Sequence, residues 1–393
     1  MDEIYFDYIS AYPLDPRVRQ AMVDYLELGW PNPSSQHTLG DRAAEALEKA
    51  RDHTAALINT KPDRIVFTSG GTESINHAVK GVAFALREKG KHIVTSDIEH
   101  NAVLRSLRRL KMMGFRVTSV PVDEFGLVNP QDVGKAITDE TILVTIMHAN
   151  NEIGALEPIA EIGKITRERG VAFHTDAVAS AGMVSIDVEE MGVDLLSMAA
   201  NQLHGPSGVG ALYVRQGTPI WPLLDGGVQE GDRRAGTENI IGIVGMGEAA
   251  RIAKTEMGAR REHAMNLKGL LRSRIADSVD HIYFNGHPTI SLPNLLSVSF
   301  DYIEGESLMI MLADAGICVS TRSACAAGAL QASHVLLAIG RDFVTAQGTL
   351  VFGFGITNTA EEVEKVVREL QGTVAMLRNI SPLFAKAEAQ AKA

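Results

Sequence analysis

Short apolar segments alternate with amphipathic segments along most of the chain. IVFTS, HIVTS, TILVT, VAFHT and VDLLSMAA are apolar runs of strand length, and several are separated by segments with apolar residues at helical spacing. This alternation predicts an α/β fold in which helices cover both faces of a mostly parallel sheet. The glycine turn after IVFTS predicts a helix that begins near Thr72.

The pattern changes after about residue 255. HIYFNGH, LLSVSFDYI, ICVSTRSAC and TLVFGFGI are predicted strands there, AEEVEKVVRELQGTVAMLRNI predicts a last helix, and the terminal AKAEAQAKA is expected to fray. We therefore predict a large domain of residues 15–255. A smaller α+β domain of residues 1–14 and 256–393 would carry a cysteine-containing loop and the C-terminal tail.

Composition narrows the classes of function. The chain has 393 residues and a formal net charge of −11, which argues against nucleic-acid binding and against docking on an anionic membrane. Its two cysteines are too few for a disulfide framework, and no apolar run approaches the length of a membrane span. The N-terminus lacks the basic region and apolar core of a signal peptide. We expect a cytoplasmic protein.

Polar residues follow several predicted strands. Gly71 and Thr72 follow IVFTS, His100 follows HIVTSD, Asn151 follows TILVTIM and Asp176 follows VAFHT. Open α/β sheets bind ligands outside the carboxyl ends of their strands. Thr72 at a helix N-terminus would favour a phosphate. A buried Asp176 needs a cationic partner, which could be a pyridinium nitrogen or a neighbouring basic residue.

The two cysteines differ in their surroundings. Cys325 lies among small residues in STRSACAAG, and the nearby Arg322 would favour its thiolate, so we predict a reactive thiol. Cys318 lies in the apolar strand GICVS and is predicted to belong to the core. Their spacing is unlike that of a metal site, and none is expected.

These motifs together resemble the cysteine desulfurases of the NifS/IscS type, which are fold-type I pyridoxal phosphate (PLP) enzymes of the class V aminotransferase superfamily. The resemblance covers nearly the whole chain through FTSGGTESIN, IEHNAV, NNEIG, HTDAV, GPSGVGALYV, GGVQEGDRRAGTENI and VSTRSACAAG. It implies a large domain with a mostly parallel seven-stranded sheet between helices, joined to a smaller α+β domain.

The resemblance also implies roles for single residues. His100 should stack on the pyridine ring, Asp176 should pair with its nitrogen, and Asn151 should lie near its phenolic oxygen. Thr72 should contact the phosphate. Thr237 should reach the phosphate of the other subunit, which implies a homodimer. Cys325 should take sulfur as a persulfide.

The chain departs from the family pattern at the reacting end of this site. The family turn Ser-x-His-Lys is replaced by Ala199-Ala200-Asn201-Gln202. Gln202 therefore stands where the family has the lysine that forms the Schiff base. An amide can neither form that bond nor act as a base near neutral pH. Ala179 replaces a glutamine, and Val351 stands where the family has the arginine that binds the substrate carboxylate. PLP or pyridoxamine phosphate (PMP) would be held non-covalently or not at all.

Three functions remain open. Cys325 could receive sulfur from sulfide or a donor persulfide and pass it to an iron–sulfur scaffold or another acceptor protein, or could lend a ligand to a nascent cluster. Alternatively, the chain is a non-catalytic homodimeric scaffold that binds a partner through its tail. A PLP- or PMP-dependent enzyme of altered mechanism is the third possibility. In that enzyme His204 would be the base, although a ring at this position could equally serve packing alone.

Overall fold

A computed structural model describes residues 3–28, 31–321, 324–326 and 329–391, with the backbone alone at 324–326, 329–331, 388 and 391. In chain order the strands are β1 (Ile4–Tyr5), β2 (Ile65–Thr68), β3 (His92–Ser96), β4 (Arg116–Val120), β5 (Thr141–Thr145), β6 (Ala172–Asp176), β7 (Leu195–Ala199), β8 (Gly210–Val214), β9 (Ile282–Asn285), β10 (Leu295–Phe300), β11 (Ile317–Cys318), β12 (Ser320–Thr321), β13 (Ala324–Ala326), β14 (Ala329–Gln331) and β15 (Thr349–Gly353). The helices are α1 (Pro16–Glu27), α2 (Thr38–Leu57), α3 (Gly71–Ala85), α4 (Asn101–Met112), α5 (Pro130–Ala136), α6 (Ile159–Arg169), α7 (Val188–Met191), α8 (Gln229–Asp232), α9 (Ile240–Ser278), α10 (Gly305–Asp314), α11 (His334–Ala338), α12 (Phe343–Gln347), α13 (Ala360–Ile380) and α14 (Pro382–Ala391).

The large sheet has seven strands in the order β2-β8-β7-β6-β5-β3-β4. The strands from β7 to β4 are parallel to one another, and β8 pairs antiparallel with both β7 and β2. One apolar cluster packs β2 and β6 against α2 and α9, and a second packs β3 and β5 against α3 and α4. The predicted α/β fold with a mostly parallel seven-stranded sheet is confirmed. The parallel strands bring their carboxyl ends to one edge.

Local sequence signals set the ends of several helices. Gly70, with φ of 147°, adopts a backbone conformation that favours glycine and precedes α3, close to the start predicted at Thr72. The side chains of Thr359 and Glu362 form a capping box at α13, whose bounds match the predicted last helix. The expectation of a frayed tail is wrong, because α14 continues to Ala391. Phe384 of α14 packs against the Tyr302 ring with centroids 5.6 Å apart, which gives the tail a tertiary contact.

The C-terminal part of the chain forms an antiparallel sheet in the order β12-β15-β10-β9. Helix α9 runs without a break past residue 255. Its first half packs in the core of the large sheet through residues such as Met246, and its second half packs in the core of the smaller sheet through residues such as Leu271. The division into domains of residues 15–255, and 1–14 with 256–393, stays a prediction.

Candidate active site

A cavity of about 410 Å³ opens at the carboxyl ends of the parallel strands. Residues from six separate chain segments line it: Ile9, Ser10, Gly71, Thr72, Ile75, His100, Met147, Ala149, Asn151, Asp176, Val178, Ala179, Ala199, Asn201 and Gln202. The structure thus brings together Thr72, His100, Asn151 and Asp176, which follow four different strands in the sequence. Asp176 is the only Asp, Glu, Lys or Arg among these lining residues.

Helix α3 presents its first turn to this cavity. No side chain caps its N-terminus, so its first backbone N–H groups are available to an anion. A Cβ on Gly71 would lie 2.7 Å from the Val178 side chain, so the close approach of these two walls requires glycine. Glu73 holds the preceding turn by accepting a hydrogen bond from the Ser69 N–H at 2.7 Å. Arg234 pairs with the same carboxylate at 2.9 Å.

Asp176 ends β6 and is only 5 % exposed. Its Oδ1 accepts a hydrogen bond from the Val178 N–H at 3.0 Å. Among the described residues, no hydrogen bond reaches its Oδ2. Burial raises the pKa of this carboxyl, and the Val178 N–H and the charge of His100 oppose that shift. A cationic ring nitrogen would satisfy both the free oxygen and the buried charge.

His100 and Asn151 are fixed by their turns. His100 is the N-cap of α4, and its Nδ1 accepts a hydrogen bond from the Ala102 N–H at 3.1 Å, which leaves Nε2 as the protonated nitrogen of the neutral ring. Asn150 shapes the turn that carries Asn151 by donating to the Ile98 carbonyl at 3.0 Å and accepting from the Glu152 N–H at 2.8 Å.

Glu99 forms the floor region of the cavity in the sense that it precedes His100 and is bonded to Met147, both of which line the cavity; sequence analysis did not identify it. It is fully buried, and its Oε1 accepts hydrogen bonds from Ser96 Oγ at 2.6 Å and from the Met147 N–H at 2.9 Å. Burial raises its pKa to about 8, with a smaller contribution from the charge of Asp176. Its neighbourhood in IEHNAV offered no local signal of burial, because the contact with Met147 spans 48 positions.

The turn after β7 is tied to the N-terminal segment. Gln202 Nε2 donates to the Ile9 carbonyl at 3.1 Å, and the Tyr12 N–H donates to the Asn201 carbonyl at 3.4 Å. His204 Nδ1 contacts the Pro13 carbonyl at 2.9 Å and must carry a proton to do so. These hydrogen bonds hold residues 200–204 against the N-terminal segment.

His204 is not among the residues that line the cavity. It is 5 % exposed, and its ring packs edge-on against Tyr12 with centroids 4.6 Å apart. Burial lowers its pKa to about 4. These contacts favour the packing interpretation of His204 over the catalytic one.

The remaining predicted residues lie away from the cavity or outside the described side chains. Thr237 is exposed on the segment between α8 and α9, and it does not line the cavity of its own chain. The backbone of Cys325 belongs to β13, but its side chain lies outside the described residues, as does Arg322. The core assignment of Cys318 is wrong. It is half-buried, because β11 pairs only with the short N-terminal strand β1 in a two-stranded sheet.

The polar residues of the cavity fit a pyridoxal phosphate group. Uncapped backbone N–H groups suit a phosphate, the free oxygen of buried Asp176 suits a pyridinium nitrogen, and His100 and Asn151 lie in the same cavity. A covalent link does not fit, since no lysine lines the cavity within the described part of the chain.

Comparison with known proteins agrees with this geometry. The profile of the family Aminotransferase class-V matches residues 4–366. The chain is 47% identical over 380 residues to "Cysteine desulfurase IscS" of Dictyoglomus turgidum, covering 97% of this chain and 96% of that protein. It is 45% identical to the protein of the same name from Methanosarcina thermophila, over 98% of this chain and 95% of the relative.

A solved structure described as a "NIFS-LIKE PROTEIN" superimposes with a TM-score of 0.90 at 37% identity, covering 95% of this chain and 100% of the other.

Among the described residues, no helix combines the length and apolar character needed to cross a membrane.

Proposed function

Because this chain belongs to the class V aminotransferase family, as a homologue of the IscS and NifS-like cysteine desulfurases, we propose that it handles sulfur without desulfurating free cysteine itself. Cys325 would carry sulfur as a persulfide and pass it to an iron–sulfur scaffold or another acceptor protein, or would lend its thiolate to a nascent cluster. The protein would act as a homodimer in the reducing cytoplasm.

Gln202 is the observation that carries this proposal. It lines the cavity at the position of the family's Schiff-base lysine, and its amide nitrogen is bonded to the Ile9 carbonyl at 3.1 Å. An amide nitrogen is not nucleophilic and cannot take up a proton near neutral pH. Without an amine at this position, the described lining of the cavity has no residue that could hold the cofactor through a Schiff base.

PLP or PMP would then be held only by non-covalent contacts. Bound PLP supplies an electron sink for reactions at the carbon next to an amine. Asp176 would pair with the ring nitrogen, His100 would stack on the ring, and the first turn of α3 with Thr72 would hold the phosphate. Asn151 would lie near the phenolic oxygen, and Thr237 of one subunit would contact the phosphate in the other.

The sulfur transfer needs no cofactor. The Cys325 thiolate would attack the outer sulfur of a donor persulfide, so that a new S–S bond forms at Cys325 while the donor S–S bond breaks. The donor thiolate leaves with its electron pair, and no external oxidant is required. Passing the sulfur onward repeats the exchange with the acceptor thiolate as the attacking group.

The test compares the two cysteines of the chain. The protein is incubated with a low-molecular-weight alkyl persulfide, and the gain of a sulfur atom is measured by intact mass. Cys325→Ser should abolish loading. Cys318→Ser is the matched control and should load normally, because burial raises the pKa of the Cys318 thiol and leaves little thiolate.

Two results would overturn the proposal. In the first, Cys325→Ser loads as much sulfur as the wild-type protein. A protein that binds its partner through the tail alone would behave in this way, and truncation after Ser381 would then abolish that binding. In the second, the wild-type protein supplied with PLP releases alanine from free cysteine, which would show an intact desulfurase.

A further inference from the structure

One wall of the cavity belongs to an apolar cluster. Ile9, Ala149 and Ala179 line the cavity and pack in the same cluster as Val351. Leu292 and Leu295 complete the buried part of this cluster. Ile9, Ala149 and Ala179 present carbon atoms to the cavity, whereas Val351 is 1 % exposed and packs with them without lining it.

The charged residues of the cavity lining also disfavour a negatively charged substituent on a ligand. Asp176 is the only carboxylate among the lining residues, and the described lining holds no lysine or arginine. The amide nitrogen of Gln202, which also lines the cavity, donates a hydrogen bond to the Ile9 carbonyl at 3.1 Å. A carboxylate placed here would lose its hydration without gaining a lysine or arginine among the described lining residues, and it would share the cavity with Asp176.

Other groups that line the cavity favour a different chemistry. The uncapped first turn of α3 favours a phosphate, and the free Oδ2 of buried Asp176 favours a protonated ring nitrogen. A ligand that satisfies these groups and the apolar wall is a phosphorylated heteroaromatic ring whose other substituent carries no negative charge.

We propose that the cavity selects phosphopyridine compounds with an uncharged, apolar substituent and rejects their conjugates with α-amino acids. This inference rests on the non-covalent cavity of the proposed function. It assigns the discrimination to the wall formed by Ile9, Ala149 and Ala179, which pack with the buried Val351, and it places no requirement on Cys325.

Two stable probes test this selection directly. Phosphopyridoxyl-valine and phosphopyridoxyl-isobutylamine share the ring, the phosphate and the branched apolar group, and differ only by the carboxylate. Both are titrated into the full-length protein, and binding is followed by the fluorescence of the reduced pyridine ring and by calorimetry. The isobutylamine conjugate should bind at least roughly tenfold more tightly, because the carboxylate loses its hydration without a partner.

Replacing Ala179 tests which wall is responsible. Ala179→Arg introduces a cation beside the ligand and should remove or reverse the preference. Ala179→Met has a side chain of similar length without charge and should keep the preference for the isobutylamine conjugate. Circular dichroism and thermal unfolding establish that each variant is folded, and the wild-type comparison decides the question even if the arginine variant does not fold.

The outcomes separate this inference from the proposed function. Equal or tighter binding of the valine conjugate by the wild-type protein overturns the selection while leaving a non-covalent cofactor site in place. Failure of both probes to bind overturns the selection and the cofactor site together, and leaves persulfide loading of Cys325 to be decided by its own assay. A folded Ala179→Arg protein with the wild-type preference contradicts the assignment to this wall.

Discussion

The cavity has two walls of opposite character. The wall at the ends of β3 and β6 carries polar groups with defined hydrogen bonds, which are the exposed His100 and the buried Asp176. The apolar wall is formed by Ile9, Ala149 and Ala179, and the amide nitrogen of Gln202 is bonded to the Ile9 carbonyl. The first wall is suited to recognising a ring and a phosphate, whereas the second lacks the groups that covalent chemistry requires.

Under the proposed function, ring recognition and covalent chemistry would be separable, because they would depend on different residues of one cavity. The polar wall is held by contacts within the turns of the large sheet, such as the bond from the Ala102 N–H to His100. The apolar wall is held by contacts between the chain start and two distant segments, the turn after β7 and β15. One wall can therefore change its chemistry while the other keeps its geometry.

Gln202→Lys should produce the largest effect. An amine at this position should attach PLP covalently, which borohydride reduction and intact mass would detect. The variant loses the bond to Ile9, at a cost of about 1 kcal/mol. It should still fail to release sulfur from free cysteine, because the apolar wall continues to lack a cation for the substrate carboxylate.

Gln216→Lys is the matched control for this substitution. Gln216 is exposed, lies outside the cavity lining and should acquire no covalent PLP. A Gln202→Lys protein that turns over free cysteine would show that the apolar wall does not limit the chemistry. One that binds PLP reversibly without covalent attachment would show that this position does not face the cofactor aldehyde.

Ile9→Ala tests the apolar wall itself. Ile9 is 7 % exposed and packs with Val351, so its truncation should lower the free energy of unfolding by about 2–5 kcal/mol. Denaturant unfolding measures this loss. Ile310→Ala is the control. Ile310 is 51% exposed, so its truncation should lower the free energy of unfolding by less than about 1 kcal/mol. Equal losses in the two variants would mean that Ile9 is not part of a packed wall.

Asp176→Asn tests the polar wall. A neutral amide cannot neutralise a protonated ring nitrogen, so the affinity for PLP should fall by roughly 10-fold to 100-fold. An absorbance or fluorescence titration measures the change. Asp194→Asn is the control, because Asp194 accepts a hydrogen bond from the Phe173 N–H at 2.9 Å near the opposite end of β6. Unchanged affinity for PLP in Asp176→Asn would mean that Asp176 does not pair with the ring nitrogen.

Sequence reasoning predicted what depends on local pattern. The strand–turn–helix pattern gave the start of α3 near Thr72, and the common direction of parallel strands explains why residues after four strands meet in one cavity. Local pattern could not show that Glu99 is buried or that Cys318 is half-exposed. Burial of a single residue depends on which distant segment packs over it.

The apolar wall illustrates the same limit. Val351 was identified by its position in a family pattern, but nothing in TLVFGFG indicates that its neighbour is Ile9, more than 300 positions earlier. The bond from Gln202 to the Ile9 carbonyl is equally long-range in sequence. Contacts of this kind are set by the topology that returns the chain start to the cavity, and that topology is read only from the folded structure.

The smallest expected effect concerns the pH dependence of stability at the cavity floor. Burial raises the pKa of Glu99 from 4.5 to about 8, so the folded state binds the proton more tightly than the unfolded chain does. The stability that this proton contributes is fully present below pH 4.5 and is lost as the pH rises to about 8. Glu99→Gln stays neutral and can keep accepting from Ser96 and Met147, so it should unfold less readily than the wild-type protein above pH 8, by on the order of 1 kcal/mol.

The measurement is the free energy of unfolding of both proteins from pH 5 to pH 9, a range that spans the raised pKa of about 8. The exposed Glu161→Gln variant provides the control and should follow the wild-type curve at every pH. Parallel curves for the wild-type protein and Glu99→Gln would mean that Glu99 titrates alike in the folded and unfolded chains. The cavity floor would then carry a charge beside Asp176, and the polar wall would be more anionic than its hydrogen bonds indicate.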